Sequence, residues 1–253
     1  MSVKPVTSVP TSERLLQVLA CIARQGHPVS ARELAEQTAL PLSTIYRHLS
    51  ALKKWAWVQE HAHSGLYEPG PLAVQLAHGF DQHSWLMQAA RYEMEQLVRR
   101  SGESVGLLCY LNGQVVCLDM QDSEQALRCS FAKGRAHATV RGASAKALLA
   151  FLPVTTQHHL LDQNFLENAS DQLSRAELEQ QLHVIRSQRY ATSENEIDLG
   201  IWGVSAPIFA GKEQLLATLS LMAPAQRVSQ RHDEYIHLTV AAADRISRTL
   251  QQN

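Results

Sequence analysis

Residues 40–52 (LPLSTIYRHLSAL) limit the possible fold of this chain more than any other stretch. At 100° per residue, Ile45, Leu49 and Leu52 fall on one narrow face of a helix. The opposite face carries four polar residues, Ser43, Arg47, Ser50 and Lys54. The stretch therefore predicts a helix that packs by one side only. The pattern leaves open whether its polar side is merely solvated or contacts a partner.

Further patterns surround this helix. The apolar spacing predicts a helix over residues 13–24, and Ser30 and Glu33 form a capping-box pattern that opens a second, short helix. Residues 55–70 (WAWVQEHAHSGLYEPG) indicate two short strands around a turn at Ser64-Gly65. Three helices followed by a hairpin are the layout of a winged helix-turn-helix, whose last helix enters the major groove of DNA.

The overall charge gives no general attraction to nucleic acid, because the formal net charge of the 253-residue chain is −1. Residues 1–70 hold a small excess of Lys and Arg over Asp and Glu, so any DNA-binding surface has to be local. The 4 cysteines form no CxxC pair, which is typical of reduced core residues. Since neither a secretory signal nor a run of about 18 apolar residues is found, we expect a cytoplasmic protein that does not contact a membrane.

Pro69-Gly70-Pro71 marks a boundary, after which residues 72–84 predict a linker helix and residues 85–100 an amphipathic helix. Asn112-Gly113 lies between two apolar runs and predicts a β-hairpin, because a type I′ turn needs positive φ at both central residues. A further strand is expected at residues 126–131.

The remaining patterns indicate an α+β domain. Residues 142–151 predict a closely packed helix of small residues, and residues 174–177 (SRAE) form a second capping box. Two apolar strands, at 202–210 and 213–224, precede a final helix over residues 229–250. Together these elements predict a largely antiparallel sheet with helices packed on it.

The chain resembles the IclR family of bacterial transcription regulators over nearly its whole length. The N-terminal resemblance lies in the segments SERLLQVLACIA, SARELAEQTALPLSTIYRHLSAL and GLYEPGPLAVQLA. The C-terminal resemblance lies in LNGQVVCLD, GASAKALLAFLP, ENEIDLG, VSAPIF, LATLSLMAP and ADRISRTL. No single segment decides the matter, but their joint order and spacing are highly specific.

The resemblance implies an α+β chain with an N-terminal winged helix-turn-helix, a linker helix and a C-terminal GAF-like effector-binding domain with an antiparallel sheet. The expected bounds are a flexible tail at 1–10, a DNA-binding domain at 11–70, a linker helix at 71–84 and an effector-binding domain at 85–253. It also implies a regulator that binds palindromic double-stranded DNA as a homodimer or a dimer of dimers. We expect a repressor of a catabolic operon, with an activator of the same architecture as the alternative.

By this resemblance the DNA-contacting positions are Ser43, Thr44, Tyr46 and Arg47, with Ser50 and Lys54 as contacts to the DNA backbone. Arg47 can contact guanine O6 and N7 together, or bridge a phosphate. The hydroxyls of Ser43 and Thr44 lie near a helix N-terminus and suit phosphate oxygens. Tyr46 lies at the side of the helix, where packing is the alternative role. Leu42 stands where the family often has a lysine, which would remove one phosphate contact.

The resemblance places a small-molecule effector against the sheet, capped by the start of the 142–151 helix. The positions that would line it are Ala143, Ser144, Ser193, Ile201, Gly203, Ser220 and Met222. Backbone N–H groups of Ala143 and Ser144 at a helix N-terminus would bind a carboxylate, so we expect a small organic acid. Arg141 would pair with that carboxylate, or else lie at the surface.

Two departures from the family bear on the size of this acid. Gly203 replaces a frequent cysteine and Met222 a frequent serine. A cavity with more space and a pliable apolar wall favours a ligand with an apolar part, such as an aromatic or longer-chain acid. A sugar acid is the competing interpretation.

Other functions fit the residues less well. Neither a GxSxG motif nor a histidine at a suitable spacing accompanies Ser144 or Cys109, so we expect no enzymatic activity and no cofactor. His61 and His63 form an HxH pair in the predicted wing, for which we expect a solvated surface rather than a metal site. A module that binds small molecules or proteins but no DNA is the third interpretation, and it would fail to bind an operator at low salt.

Overall fold

The structure, a computed structural model, describes residues 10–137, 139–167, 174–211 and 213–252. The chain divides into two compact units, of which the first ends at His83 and the second begins at Ser84. Each unit has its own apolar core. Except for Pro10, the tail expected at residues 1–10 lies outside the described residues.

The first unit contains the predicted three helices and hairpin, followed by a fourth helix. Its elements are α1 (Thr11–Gln25), α2 (Ala31–Thr38), α3 (Leu42–Lys54), β1 (Val58–Glu60), β2 (Tyr67–Pro69) and α4 (Leu72–His83). β1 and β2 pair in antiparallel fashion. The capping box is confirmed: the Glu33 N–H donates to Ser30 Oγ at 3.2 Å, and the Ser30 N–H donates to the Glu33 carboxylate at 2.7 Å.

Apolar residues from the first three helices and the hairpin form the core of this unit. The main members are Val18, Cys21, Ile22, Leu34, Ile45, Leu49, Leu52, Val58 and Tyr67. The predicted inward face of α3 is therefore confirmed, and Pro41 lies at the N-cap of this helix. His48 is buried on the same face, because it lies three residues after Ile45 and one turn before Leu52.

The second unit is an α+β domain built on a six-stranded sheet. Its elements are α5 (Trp85–Ser101), β3 (Ser104–Leu111), β4 (Gln114–Gln121), β5 (Ala136–His137), α6 (Ala143–Phe151), α7 (Val154–Glu167), α8 (Arg175–Gln188), β6 (Ala191–Glu194), β7 (Ile201–Ala210), β8 (Gln214–Pro224), α9 (Ala225–Val228) and α10 (His232–Gln251). The strand order is β5-β4-β3-β8-β7-β6, and every neighbouring pair is antiparallel. The predicted fold class is confirmed.

The turn between β3 and β4 has the predicted chemistry. Asn112 and Gly113 have φ of 48° and 84°, and Leu111 pairs directly with Gln114 across the turn. Both central residues thus have the positive φ that a type I′ turn requires. The capping box before α8 is also confirmed, with the Glu177 N–H donating to Ser174 Oγ at 3.3 Å.

In this unit two sequence predictions were wrong and one strand was missed. Residues 126–131 are irregular rather than a strand, because the edge of β4 pairs instead with Ala136–His137. The strand β6 was not predicted at all. The last helix begins at His232 rather than at residue 229, since Ala225–Val228 forms a separate short helix.

The two faces of the sheet are covered differently. α5 and α10 pack on one face, with Leu107, Val204 and Leu219 in the shared core. α6 lies over the other face, where Leu108 contacts Ala145 and Leu148 of that helix. Residues that alternate along a strand point to opposite faces, so Gly203 and Ser205 lie on the α6 side. In the described part of the chain, no helix is long and apolar enough to span a membrane.

Candidate functional sites

The outward face of α3 is polar and open to solvent. The exposed members are Ser43, Tyr46, Arg47, Ser50 and Lys54, while Thr44 is half-buried. Tyr46 is 51% exposed, so its ring is not part of the core. The Ser50 hydroxyl donates to the Tyr46 carbonyl at 2.9 Å, which leaves its lone pairs for a partner that donates.

The start of α3 suits an anionic partner. Pro41 provides no side-chain cap for this helix. The N–H groups of Thr44 and Ile45 donate to the Pro41 carbonyl. The other N–H groups of the first turn depend on solvent or a ligand. Free N–H groups at a helix N-terminus favour phosphate oxygens. Leu42 is exposed beside them and adds no charge.

The inward face of α3 contains an unusual group. His48 is 3% exposed, and its Nε2 has no hydrogen-bond partner. Burial lowers the pKa of this imidazole, and the positive charges of Arg47 and Arg14 lower it further. His48 is therefore a neutral core residue at pH 7.

The wing histidines lie at the surface, as expected. His61 Nε2 lies 2.9 Å from Glu68 Oε2, and His63 is exposed. Gln59 and then His61 lower the pKa of Glu68 by hydrogen bonding. Among the described residues, no group of three or more His, Cys, Asp or Glu side chains is placed to hold a metal ion.

The second unit contains a cavity of about 300 Å³ on the α6 side of the sheet. Seven of the eight predicted effector positions line it, namely Arg141, Ala143, Ser144, Ser193, Ile201, Gly203 and Met222. The eighth, Ser220, is 1% exposed and lies behind the wall rather than on it. The sequence positions thus converge in space, although they come from five separate elements and loops.

The first turn of α6 is already partly engaged by the protein. The Gly142 N–H donates to Glu196 Oε2 at 2.9 Å, and the Ala143 N–H donates to Ser193 Oγ at 2.9 Å. Lys146, which is nearly buried, pairs with the other oxygen of Glu196 at 2.5 Å. A ligand that accepts a hydrogen bond from the Ala143 N–H must therefore displace Ser193 Oγ.

Three serine hydroxyls form a cluster below this turn. Ser144 Oγ lies 2.9 Å from Ser220 Oγ, and Ser205 Oγ lies 2.7 Å from Ser220 Oγ and 3.3 Å from Ser144 Oγ. Ser205 and Ser220 are opposite each other on β7 and β8. Of the three, Ser144 and Ser205 line the cavity, so Ser220 acts on a ligand only through its neighbours.

Gly203 provides space in the cavity wall. A Cβ at this position would lie 3.6 Å from both Leu221 O and Ser193 Oγ, which is an ordinary contact. Gly142 differs, because its φ of 84° and ψ of 158° are accessible to glycine but not to other residues. Ile197 also packs against Gly142, with side-chain atoms 3.0 Å from a Cβ built there.

Family models match both units of this chain. The IclR helix-turn-helix domain matches residues 11–62, and the bacterial transcriptional regulator IclR C-terminal domain matches residues 81–248. The chain belongs to the IclR family. As a member of this family it is a DNA-binding transcriptional regulator with an effector-binding domain, and not an enzyme.

Individual relatives agree with this assignment. The acetate operon repressor of Salmonella typhimurium is 27% identical over 250 residues, which cover 96% of this chain and 91% of the relative. The transcriptional repressor IclR of Escherichia coli is 25% identical over 244 residues, which cover 94% of this chain and 89% of the relative. An IclR-family regulator from Brucella abortus has the same fold, with a TM-score of 0.82 at 19% identity over 97% of this chain and 94% of the other.

The cavity of this IclR-family chain has walls that sequence reasoning missed. They include Leu108, Val115, Arg128, Cys129, Phe131, His137, Ile197, Asp198, Ser205 and Leu221. Most belong to β-strands or to the irregular segment between β4 and β5, where no motif singles out individual residues. For Ser205 a signal existed, because it lies two residues after Gly203 on the same strand face.

Proposed function

We propose that this chain represses a catabolic operon by binding a palindromic operator as a homodimer or a dimer of dimers, under the control of a small carboxylic acid. The main observation in support of a carboxylic acid as the effector is the cavity of the second unit. The first turn of α6, Arg128 and Arg141 all line this one cavity. N–H groups at a helix start and guanidinium groups both favour a carboxylate. The apolar walls favour an acid with an apolar part over a sugar acid.

We infer that α3 contacts DNA through its exposed face. Arg47 would bind guanine O6 and N7, or a phosphate, and Ser43 and Thr44 would contact phosphates at the helix start. Tyr46 is exposed and free to contact a base edge or sugar. Ser50 and Lys54 lie further along the same face and would contact the DNA backbone, Ser50 by turning its hydroxyl from the Tyr46 carbonyl to a phosphate oxygen.

The exposed face of α4 supports a homodimer. No residue of this helix is buried, and Val74, Leu76 and Phe80 are all exposed. Leu76 and Phe80 lie about one turn apart on the same side of the helix, and exposed apolar side chains that lie together are typical of an interaction surface. Leu76→Glu should therefore convert the dimer to a monomer in size-exclusion chromatography with light scattering. Gln75→Glu, one residue away and also exposed, is the matched control that should leave the dimer intact.

The direction of regulation rests on relatives. Two of them are named repressors, one for the acetate operon. Transcription in vitro from a promoter linked to the operator should fall when this protein is added and recover when the acid is added. A rise on addition of the protein would instead establish an activator.

DNA binding is tested on operator fragments selected from a random pool. Arg47→Ala should weaken operator binding about 10- to 100-fold, because a bidentate base contact contributes about 1–3 kcal/mol. Fluorescence anisotropy at several salt concentrations measures this loss. Arg99→Ala, an exposed arginine of α5, is the control that should bind normally. Unchanged affinity of Arg47→Ala would remove α3 from the interface.

The acid is tested by thermal shift. A panel of benzoate, phenylacetate, hexanoate, gluconate and their carboxamides distinguishes charge from shape. An acid at a hundred times its dissociation constant should stabilise the protein by about 2.7 kcal/mol. The carboxamides should bind more weakly, because they have no anionic charge for the α6 N-terminus. A solved relative from Microbacterium hydrocarbonoxydans holds 4-hydroxybenzoate, which belongs in the panel.

A further inference from the structure

The cavity has two chemically different ends. Ser193 lies on β6 and His137 on β5, which are the two edge strands of the six-stranded sheet. Both line the same cavity, so the sheet curves around it. The end under α6 is polar, with the first helical turn and the serine cluster over β6, β7 and β8. The other end lies over β3, β4 and β5.

Apolar residues and one imidazole meet at the far end of the cavity. Leu108 and Val115 form its floor, and Phe131 lies against His137 with ring centroids 4.2 Å apart and planes tilted by 52°. The Nε2 atom of His137 is buried and has no hydrogen-bond partner. An unpaired buried nitrogen is unfavourable, and a ligand group that pairs with it regains the lost hydrogen bond.

The charge state of His137 selects the kind of ligand group. Burial lowers the pKa of the imidazole, and Arg135 lowers it further, so the ring is neutral at pH 7. A neutral imidazole nitrogen either donates or accepts according to its tautomer. A hydroxyl group suits both tautomers, because it can accept or donate in turn.

We propose that His137 recognises a hydroxyl group at the far end of the effector. The effector is then a monocarboxylic acid whose apolar body spans the cavity and whose hydroxyl lies opposite its carboxylate. This inference rests on the proposed acid-responsive function. It adds a ligand class, a hydroxylated acid, and a residue that selects it.

Access to Nε2 involves Phe131. This ring belongs to the irregular segment between β4 and β5, and it lies against the imidazole. In this proposal the Phe131 ring turns aside to admit the ligand hydroxyl, and the apolar body of the ligand packs against the ring. Only a ligand long enough to reach past Val115 gains this contact.

Matched acid pairs test the proposal by isothermal titration calorimetry on the full chain. The pairs are benzoate and 4-hydroxybenzoate, phenylacetate and 4-hydroxyphenylacetate, and hexanoate and 6-hydroxyhexanoate. In the native protein, the hydroxylated member of at least one pair should bind about tenfold more tightly, the value of one regained hydrogen bond. His137→Leu should bring that ratio to about one, while His137→Gln, which keeps a polar group, should retain part of it.

His158→Leu, at an exposed histidine of α7, is the control that should keep the native ratio. Equal binding within every pair, or a ratio that survives His137→Leu, overturns the role of His137. If the acids bind but do not discriminate, only this inference fails. If no acid of the panel binds while operator binding persists, the acid-responsive function fails together with it.

Discussion

His48 and His137 share an unusual property, and their surroundings differ. Each is an imidazole whose Nε2 is buried without a partner, and these two are the only such side-chain atoms among the described residues. Burial is the main cause of the lowered pKa in both. His48 lies in the core of the DNA-binding unit, whereas His137 lines the cavity of the second unit. An unpaired polar atom therefore indicates a ligand only where a cavity adjoins it.

In the DNA-binding unit, burial of the surrounding apolar side chains offsets the cost of the unpaired His48 nitrogen. A buried unpaired polar group costs about 1–3 kcal/mol, a large part of the stability of a small domain. Nothing in the structure explains why position 48 holds a histidine rather than an apolar residue. At His137 we propose that a hydrogen bond to the ligand offsets the same cost.

The largest difference between the two units should appear when each loses an apolar side chain. Leu49→Ala leaves a closed cavity in the first core and should destabilise that unit by about 2–5 kcal/mol. Met222→Ala enlarges a cavity that already exists, so its cost should lie near the lower end of that range or below it. Hydrogen exchange of peptides from each unit, followed by mass spectrometry on the full chain, measures both. Equal costs would mean that the cavity is collapsed in solution.

A smaller difference in stability is expected between alanine substitutions at the two cavity glycines. Gly142→Ala forces a residue with a Cβ into a glycine-only conformation against Ile197, at a cost of about 1–3 kcal/mol. Gly203→Ala, where the Cβ meets only ordinary contacts, should change stability by less than about 1 kcal/mol. Thermal unfolding of the ligand-free variants gives both values. A costly Gly203→Ala would contradict the space assigned to this wall.

The pH dependence of stability should distinguish His48 from an apolar core residue. Its folded-state pKa is lowered, so the unfolded chain binds the proton more readily. The stability that His48 contributes is complete above about pH 6.5 and is lost as the pH falls toward the folded-state pKa. Between pH 7.5 and 5.5 the native protein should therefore lose up to about 1 kcal/mol more than His48→Leu. Urea unfolding at the two pH values decides the sign.

The smallest expected difference in stability is between His48→Leu and His137→Leu in the absence of ligand. At pH 7.5, His48→Leu and His137→Leu each remove one unpaired nitrogen, so their stabilities should agree within about 0.5 kcal/mol. A hydroxylated acid should separate them, since only His137→Leu loses the contact. If the two variants respond alike to the acid, the contrast between closed core and cavity is wrong.

The sequence predicted the first unit more fully than the second. The spacing of Ile45, Leu49 and Leu52 defines the inward face of α3, because helical periodicity is a local property. His48 escaped prediction because its polarity argued for the surface although its position shares the inward face. A pattern of apolar residues cannot indicate a polar residue that the core tolerates.

The cavity residues were found partly from the family resemblance and partly from the tertiary structure. Ala143, Ser144 and Ser193 were placed by the resemblance, and seven of the eight predicted positions line the cavity. Phe131 belongs to an irregular segment that was wrongly predicted as a strand, and His137 follows that segment, so the predicted pattern marked neither residue as part of a site. Which loop residues meet across a curved sheet depends on long-range packing, which spacing along the chain does not contain.

The serine cluster gives the cavity a floor that adapts to what it binds. Ser144, Ser205 and Ser220 each donate one hydrogen and accept others, and their oxygens lie 2.7–3.3 Å apart. The three hydrogens can turn together, so that Ser144 either donates to a guest or accepts from it while every hydroxyl keeps a partner. A carboxylate and a protonated group would thus meet the same three side chains with reversed hydrogen-bond direction, and exchanging one guest for the other would require no backbone movement.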